Sequence, residues 1–358
     1  MSSWWRHTSL RRQEEDKLVS KNITKSLWLL SATVVICCLV YPLAVWAIGQ
    51  AFFPFSANGS MVAGPDGKPV GSLLIAQPFT KDEYFWPRPS AASYDGSASA
   101  SSTLSASNYA LRDRVARTLG PIVKYQSGPK AGQLVAPDIE AWFRQDQFQG
   151  KTHLVAQWAD NHNGLATGWV SADPTHGPYI DTWTKSHQPL VQDWIKSNPG
   201  TPKPQASDLA IVFFENFSTE HPGKFPSGVT TTSADGKTQT TTVQPVATGS
   251  DIQSIFFDMW RQDHADADLA NVPGDMVTTS GSGLDPHITL QNAEYQLDRV
   301  ASKWATDTKS DLAQVHSQID QMLQDDAFAP MGGLFGEKMI NVLQVNLQLR
   351  QRYGAPQG

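Results

Sequence analysis

Residues 278–289 read Thr-Thr-Ser-Gly-Ser-Gly-Leu-Asp-Pro-His-Ile-Thr. Ser280, Ser282, Asp285 and His287 are the residue types of a hydrolase triad: a hydroxyl to attack a carbonyl, an imidazole to take its proton, a carboxylate to orient the imidazole. The spacing argues against that chemistry. Three side chains within one short turn seldom point at one another, and no G-x-S-x-G elbow presents a serine. The same residues build a turn well. Gly281 and Gly283 permit positive φ, and Asp285-Pro286 leads into a helix that Asp285 could cap. Ser282, Asp285 and His287 are expected to fix this junction or touch a partner, with no catalytic residue in the chain.

Two other sets of residues invite chemistry. Arg88 stands between Pro87 and Pro89, which hold it extended, beside Tyr84, Phe85 and Trp86. Arg with Tyr and Trp is the composition of interface hot spots, so a partner contact is expected there. Six of the nine histidines (His153, His162, His176, His187, His221, His264) fall in residues 121–270. They lack the short ligand spacings that orient two imidazoles on one metal, and the run from Asp263 to Asp268 lacks the glycine and closing glutamate of a calcium loop. No metal is expected.

The elements that must position these residues begin with a membrane span. Leu27 to Phe53 carries no charged residue. Residues 27–49 as a helix would run about 35 Å, enough to cross a hydrocarbon core. Arg6, Arg11, Arg12, Lys17, Lys21 and Lys25 precede the span, and Lys68 is the first basic residue after it. The positive-inside rule then places residues 1–26 in the cytoplasm and the bulk of the chain in the periplasm, anchored once in the inner membrane. Setting aside the N-terminal charges leaves 22 basic and 31 acidic residues outside, a balance unsuited to nucleic acid. Cys37 and Cys38 are the only cysteines and lie mid-span, so the outer domain folds without a disulfide.

Beyond the span, residues 58–76 read as a hairpin turning at Pro65-Asp66-Gly67. Residues 80–108 are rich in Pro and Ser and read as irregular linker. A short helix, 109–119, follows a Ser107-Asn108 cap. In the C-terminal third, Thr289 caps a helix with Ala293, Leu297, Val300, Ala301 and Trp304 on one face. A second starts near Thr308–Asp311 with Leu312, Val315, Ile319, Met322 and Leu323 aligned. The tail alternates Leu343, Val345, Leu347 and Leu349 with polar residues, which suits a half-buried strand and also a helix. Residues 121–270 hold six of twelve tryptophans (Trp142, Trp158, Trp169, Trp183, Trp194, Trp260) and suggest a small core of their own, with Asp235-Gly236 turning a polar hairpin. The fold class is α+β: one transmembrane helix, then a mixed periplasmic domain carrying a large insertion. Its parts are 1–26, 27–49, core first half 50–124, insertion 125–268, and core second half 269–358.

Both ends of the outer region resemble one family. FFPFSANGSMV, VGSLLIAQPFTKDEYFWPRPSAASY, VPGDMVTTSGSGLDPHITLQNAEYQLDRVASKW and MGGLFGEKMINVLQVNLQL, some 180 residues in order, are similar to the C subunit of the Kdp high-affinity potassium-transporting P-type ATPase. The resemblance implies a complex with a potassium-selective A subunit, an ATP-hydrolysing B subunit and a small F subunit. The C subunit would support assembly and act as a catalytic chaperone for ATP use. Asn58, Gln77, Tyr84, Phe85, Trp86, Arg88, Ser282, Asp285, His287, Asn341 and Asn346 fall on the matching motifs as partner-contact or structural residues. The family's Ser-Gly-Gly-Ser-Asn-Leu stretch, likened to a nucleotide-binding loop, corresponds here to residues 99–104. Ser99 and Ser102 persist, but Ala100 and Ser101 replace both glycines, which removes the backbone freedom to wrap a phosphate. ATP at this loop is thus a family attribution only. The alternative is a membrane-anchored extracytoplasmic enzyme or glycan binder with the aromatic insertion as its module.

Overall fold

The computed structural model describes residues 20–64, 67–233, 238–333 and 336–355. Arg6, Arg11, Arg12 and Lys17 of the basic flank, Pro65 and Asp66 of the first turn, and Asp235-Gly236 of the second lie outside the described residues.

Helix α1 (Ser20–Phe52) is one apolar helix of 33 residues that contains the expected span. Its turn Ile36–Val40 is widened, and Tyr41 N–H reaches back to Ile36 O. Pro42 is the cause: it lacks an N–H, and its ring crowds the carbonyl four residues earlier. A four-residue helix, Pro54–Ala57, follows, then the antiparallel pair β1 (Met61–Ala63) and β2 (Pro69–Ser72).

No further helix or strand forms before α2 (Tyr109–Leu119), whose first turn is capped by Asn108 Oδ1 accepting from Ala110 N at 2.9 Å. The intervening stretch is no linker. It is an extended strap bonded to the second half of the core, as described below.

The aromatic region then folds as α3 (Ala136–Phe143), α4 (Leu154–Asn161), α5 (Asn163–Ala172), α6 (His176–Ser186), α7 (Gln188–Ser197) and α8 (Ala210–Glu220). The long hairpin of β3 (Phe225–Thr232) and β4 (Gln239–Val246) follows, then α9 (Ser250–Asp263). These elements share one core in which Trp158 meets Phe214, Phe225 and Phe256 at ring distances of 5.2, 5.5 and 5.9 Å. Five of the six tryptophans are buried in it, so they do not line a carbohydrate groove. Helix α2 docks on α9 so closely that a Cβ at Gly120 would sit 1.9 Å from Gln253 O. Only glycine permits that approach.

The last third builds a second core. β5 (His287–Thr289) leads into α10 (Leu290–Thr308), α11 (Leu312–Asp326), β6 (Met339–Asn341) and α12 (Val342–Tyr353). β5 and β6 pair antiparallel, with Ile288 opposite Ile340. Thr289 caps α10 through Asn292 N at 3.1 Å, and Asp311 caps α11 through Gln314 N at 2.9 Å. The helical reading of the tail is the one the chain adopts. Val342, Val345, Asn346 and Leu349 are buried at spacings of 3, 1 and 3, a helix stripe that Asn341 caps. Ile288, Leu297, Val300, Trp304, Ile319 and Val345 fill this core together with Phe85 of the strap.

The aromatic module leaves and rejoins the chain at a paired neck. Gln126 N donates to Asp268 O at 2.9 Å and Ala270 N to Lys124 O at 2.9 Å, with Tyr125 opposite Leu269. The two entry points of the 125–268 segment are therefore neighbouring strands.

One contact inside the module sets a pH dependence. His187 Nε2 lies 3.0 Å from Glu220 Oε1, and Nδ1 lies 2.9 Å from Trp183 O. Both of these partners only accept, and Ser186 Oγ, 3.0 Å from Nδ1, is itself within 2.9 Å of Trp183 O as a donor, so both ring nitrogens carry protons when both bonds form. Burial works against the charged ring but is outweighed by Glu220 and the Trp183 carbonyl, and the His187 pKa is raised. The hydrogen bond from His187 lowers that of Glu220. The histidine part is fully present below about pH 6.5 and is lost as pH rises through the raised value. The glutamate part is present above about pH 4.3 and lost as pH falls. The melting temperature of His187→Gln should therefore differ from the parent most near pH 5–6, with the two converging toward pH 8. A pH-independent difference would show that the pair is not charged.

Candidate functional site

The strap is held by side chains that imitate a neighbouring β-strand. Asn346 Oδ1 accepts from Phe85 N at 2.8 Å, and Asn346 Nδ2 donates to Phe85 O at 2.9 Å. One residue further along the strap, Gln296 does the same for Trp86: its Oε1 accepts from the amide at 2.8 Å and its Nε2 donates to the carbonyl at 3.2 Å. Both amides are buried, so each satisfies polar backbone that would otherwise be stranded in the core. Trp304 Nε1 donates to Glu83 O at 2.8 Å. The Arg299 guanidinium lies 3.7 Å over the Trp86 ring and donates to Asp82 O at 2.7 Å and Tyr84 O at 3.1 Å. Burial lowers its pKa to about 10, against the pull of Asp82 and Glu83, so it stays charged at neutral pH.

Phe85 is thus a core residue, and Trp86 is half-buried under Arg299. Tyr84 packs on Phe79 at 5.3 Å. Arg88 reaches back into the protein: Nη2 donates to Thr279 O at 3.2 Å and Nη1 lies 3.6 Å from Asp285 Oδ2. Strap and loop 278–289 therefore meet at Arg88 and Asp285. They meet again where Ser90 Oγ donates to Gly283 O at 2.5 Å and Ala100 N to Ser282 O at 3.0 Å.

Within the loop the triad residues are not assembled. Ser282 Oγ accepts from Leu284 N at 3.1 Å, whereas His287 Nδ1 and the His287 amide both bond Asp285 Oδ1, at 3.0 and 3.1 Å. Two expectations need correction. Asp285 caps no helix; it closes the tight turn ahead of β5, and the cap of α10 is Thr289, whose amide is held by Asp275 Oδ2 at 2.8 Å. Gly283 has φ +73°, but Gly281 is not in the left-handed region. A Cβ at Gly283 would stand 2.8 Å from Ala100 O, so the glycine sets how closely strap and loop approach. The hydrogen bond from His287 lowers the Asp285 pKa despite burial, and Arg88 adds to it. Asp285→Ala should cost about 1–2 kcal/mol after discounting for partial exposure, and Ser282→Ala under about 0.5 kcal/mol, in denaturant titrations of the full chain. Equal losses would mean the carboxylate does not organise the turn.

The remaining motif residues tie the anchor to this frame. Asn58 Nδ2 donates to Pro54 O at 2.7 Å, and Gln77 Nε2 to Val70 O at 2.9 Å across the hairpin. Asn341 Nδ2 donates to Leu73 O at 2.8 Å while its Oδ1 caps α12. Ser99 Oγ donates to Ser282 O at 3.2 Å, and the Ala100 amide is spent on the same carbonyl. Ser102 is half-buried, away from these bonds. Among the described residues no His, Cys, Asp and Glu group is arranged to hold a metal ion.

A cavity of about 490 Å³ opens between the strap, α10 and the neck, lined by Trp86, Ile122, Leu134 and Tyr295 with Lys124 and Asp298 at its edge. Lys124 Nζ is bonded to Asp298 at 2.9 Å and Tyr295 O at 3.2 Å, and Tyr295 OH to Ile122 O at 3.1 Å. Its polar groups are occupied in joining the two cores. Sequence reasoning missed Asn292, Gln296, Arg299 and Asp275. The signal was present: Asn292, Gln296 and Arg299 recur at spacings of 4 and 3 beside the apolar stripe of α10, where surface polar residues need no such register.

An apolar helix long enough to cross a membrane, a hairpin, and an α+β core that clamps an extended strap with buried amides make up the architecture that carries these residues. Residues 23–139 and 227–351 match the family model described as KdpC: K+-transporting ATPase, c chain. The chain belongs to this KdpC family, with its domain split by an insertion. A protein of Caulobacter sp. strain K31 named potassium-transporting ATPase KdpC subunit is 52% identical over 319 residues, 88% of this chain and 87% of the relative. Those of the same name from Parvibaculum lavamentivorans and Synechocystis sp. are 41% and 46% identical over 31% and 24% of this chain. There the aligned part is about half of the relative, 59% and 42%. The family match breaks off between 139 and 227, inside the 125–268 segment.

Proposed function

We propose that this chain is a non-catalytic accessory subunit of an ATP-driven potassium uptake complex. It supports assembly and transport by a potassium-selective A subunit and an ATP-hydrolysing B subunit, with a small F subunit alongside. The observation that carries this reading is the family match on both sides of the insertion, falling on the residues that clamp the strap: Phe85, Trp86, Gln296, Arg299 and Asn346. Helix α1 serves as the single inner-membrane anchor, N-terminus in the cytoplasm, with the folded body in the periplasm. Lys21 and Lys25 before the apolar run support that orientation. The strap and loop act as a rigid contact frame for the other subunits, and chaperoning of ATP use would be exerted through them. Ser99 and the Ala100 amide, committed to Ser282 O, favour a structural role for residues 99–104 over nucleotide binding.

Affinity purification of the tagged chain from its own membranes tests this. Recovery with two large membrane subunits and potassium-stimulated ATPase activity is expected, and recovery of the chain alone would overturn it. A periplasm-active reporter fused after Leu349 should give signal; activity only of a cytoplasmic reporter would reverse the orientation.

A further inference from the structure

The junction between anchor and body contains no free linker. Phe53 N donates to Gly49 O, Ala57 N to Phe53 O, Asn58 N to Pro54 O and Ser60 N to Phe55 O, all at 2.8–3.1 Å. Leu73 N then donates to Ser60 O and Ser72 Oγ to Gly59 O, which locks the β1–β2 hairpin onto the end of the helix. Asn341 Nδ2 to Leu73 O and Ala76 N to Leu284 O carry the connection into the second core. Wherever α1 leaves the bilayer, the hairpin must follow within a few ångströms.

That junction is built of apolar surface. Phe53 is 64% exposed, Phe55 52%, Met61 50% and Leu74 60%. The charge-free stretch also outruns the helix: after Lys25 the next charged residue is Asp66. From Lys25 to Phe52 the helix rises about 40 Å, against roughly 30 Å of hydrocarbon and 40–45 Å with headgroups. With Lys25 among one set of headgroups, Phe52 reaches the other, where aromatic side chains collect.

We infer that Phe53, Phe55, Met61 and Leu74 form a foot that seats in the headgroup–acyl boundary of the leaflet beneath the folded body, the partner being the phospholipid surface itself. The foot fixes the height and tilt of the body, because an unbroken series of hydrogen bonds joins Gly49 to Asn341. This rests on α1 spanning the bilayer.

The test uses the full chain with Cys37→Ala and Cys38→Ala, reconstituted in phosphatidylcholine nanodiscs. Single cysteines replace Phe55, Met61 or Leu74, with Val35→Cys marking the span and Leu312→Cys, on the exposed start of α11, marking water. Spin labels are read for collision with lipid-soluble oxygen and with a water-soluble nickel chelate. The oxygen-to-nickel ratio at the three foot positions should exceed that at Leu312→Cys several-fold and approach that at Val35→Cys. Foot ratios equal to Leu312→Cys, with Val35→Cys still lipid-like, overturn the foot alone. A water-like Val35→Cys shows that the spanning reading has failed, and the foot with it. Shielding of the foot from both reagents means that protein covers it, which also overturns the proposal.

Discussion

Asn346→Ala is expected to lower the unfolding free energy of the folded body by about 3–6 kcal/mol, a large part of what a domain usually has. The side chain does two things at once: it accepts from Phe85 N and donates to Phe85 O, in a place where water does not reach. Removing it strands one buried donor and one buried acceptor, each at about 1–3 kcal/mol, and opens a small cavity. Asn346→Asp should recover little, since a carboxylate cannot donate to the carbonyl. Gln296→Ala should cost less, because Arg299 and the half-exposed Trp86 edge leave room for water. The two changes together should interact by more than about 0.5 kcal/mol, since both release the same strap. Denaturant unfolding of the full chain in detergent, followed by tryptophan fluorescence, measures this. A loss below about 1 kcal/mol for Asn346→Ala would show that the strap is held by Phe85 packing alone.

The second large effect concerns where the chain is cut. Replacing residues 125–268 by a short Gly/Ser linker should leave the core of α10, α11 and α12 folded. Residues 124 and 270 are hydrogen-bonded neighbours, so the linker has little distance to close, and its entropy grows only slowly with length. The aromatic residues removed, Trp142, Phe213, Phe214, Phe256, Phe257 and Trp260, belong to the other hydrophobic core. A local cost remains: Ala116 and Leu119 of α2 pack on that core, and α2 should fray without α9. Removing only 140–226, the stretch that the family match skips, should be far worse. It takes Phe143, Trp158 and Phe225 away from Phe256 and cuts α3 short, leaving the aromatic face of α9 open to water. Size-exclusion chromatography and circular dichroism of the two deletions separate the outcomes. Aggregation of the longer deletion with a well-behaved shorter one would mean that the module is not independent.

Much of the helical framework is legible in the sequence. Periodicity in the α10 and α11 segments placed Ala293, Leu297, Val300, Val315 and Ile319 on buried faces, because each helix repeats its apolar residues locally. Caps such as Asn108 and Thr289 were legible for the same reason, the acceptor and the amide being two or three residues apart. The anchor was legible from composition alone. The tail was open between strand and helix, since Leu343, Val345, Leu347 and Leu349 satisfy either period; burial of Asn346 beside Val345 decided for the helix.

What the sequence by itself determined, then, is whatever depends on neighbours along the chain: the long apolar helix, the amphipathic faces, the caps, the lack of cysteines after Cys38 and, through ordered motifs, the family. The tertiary structure alone decided the pairings across long separations. That Arg88 bonds Thr279 and lies against Asp285, about two hundred positions away, could not be read from its neighbours Tyr84 and Trp86. Phe85 stood in one aromatic cluster with Tyr84 and Trp86, and only the fold shows that Asn346 and the α10 face bury it completely. A strap without secondary structure has no period to betray its buried side. Its hydrogen bonds are completed by side chains from distant helices, and only the folded chain brings them together.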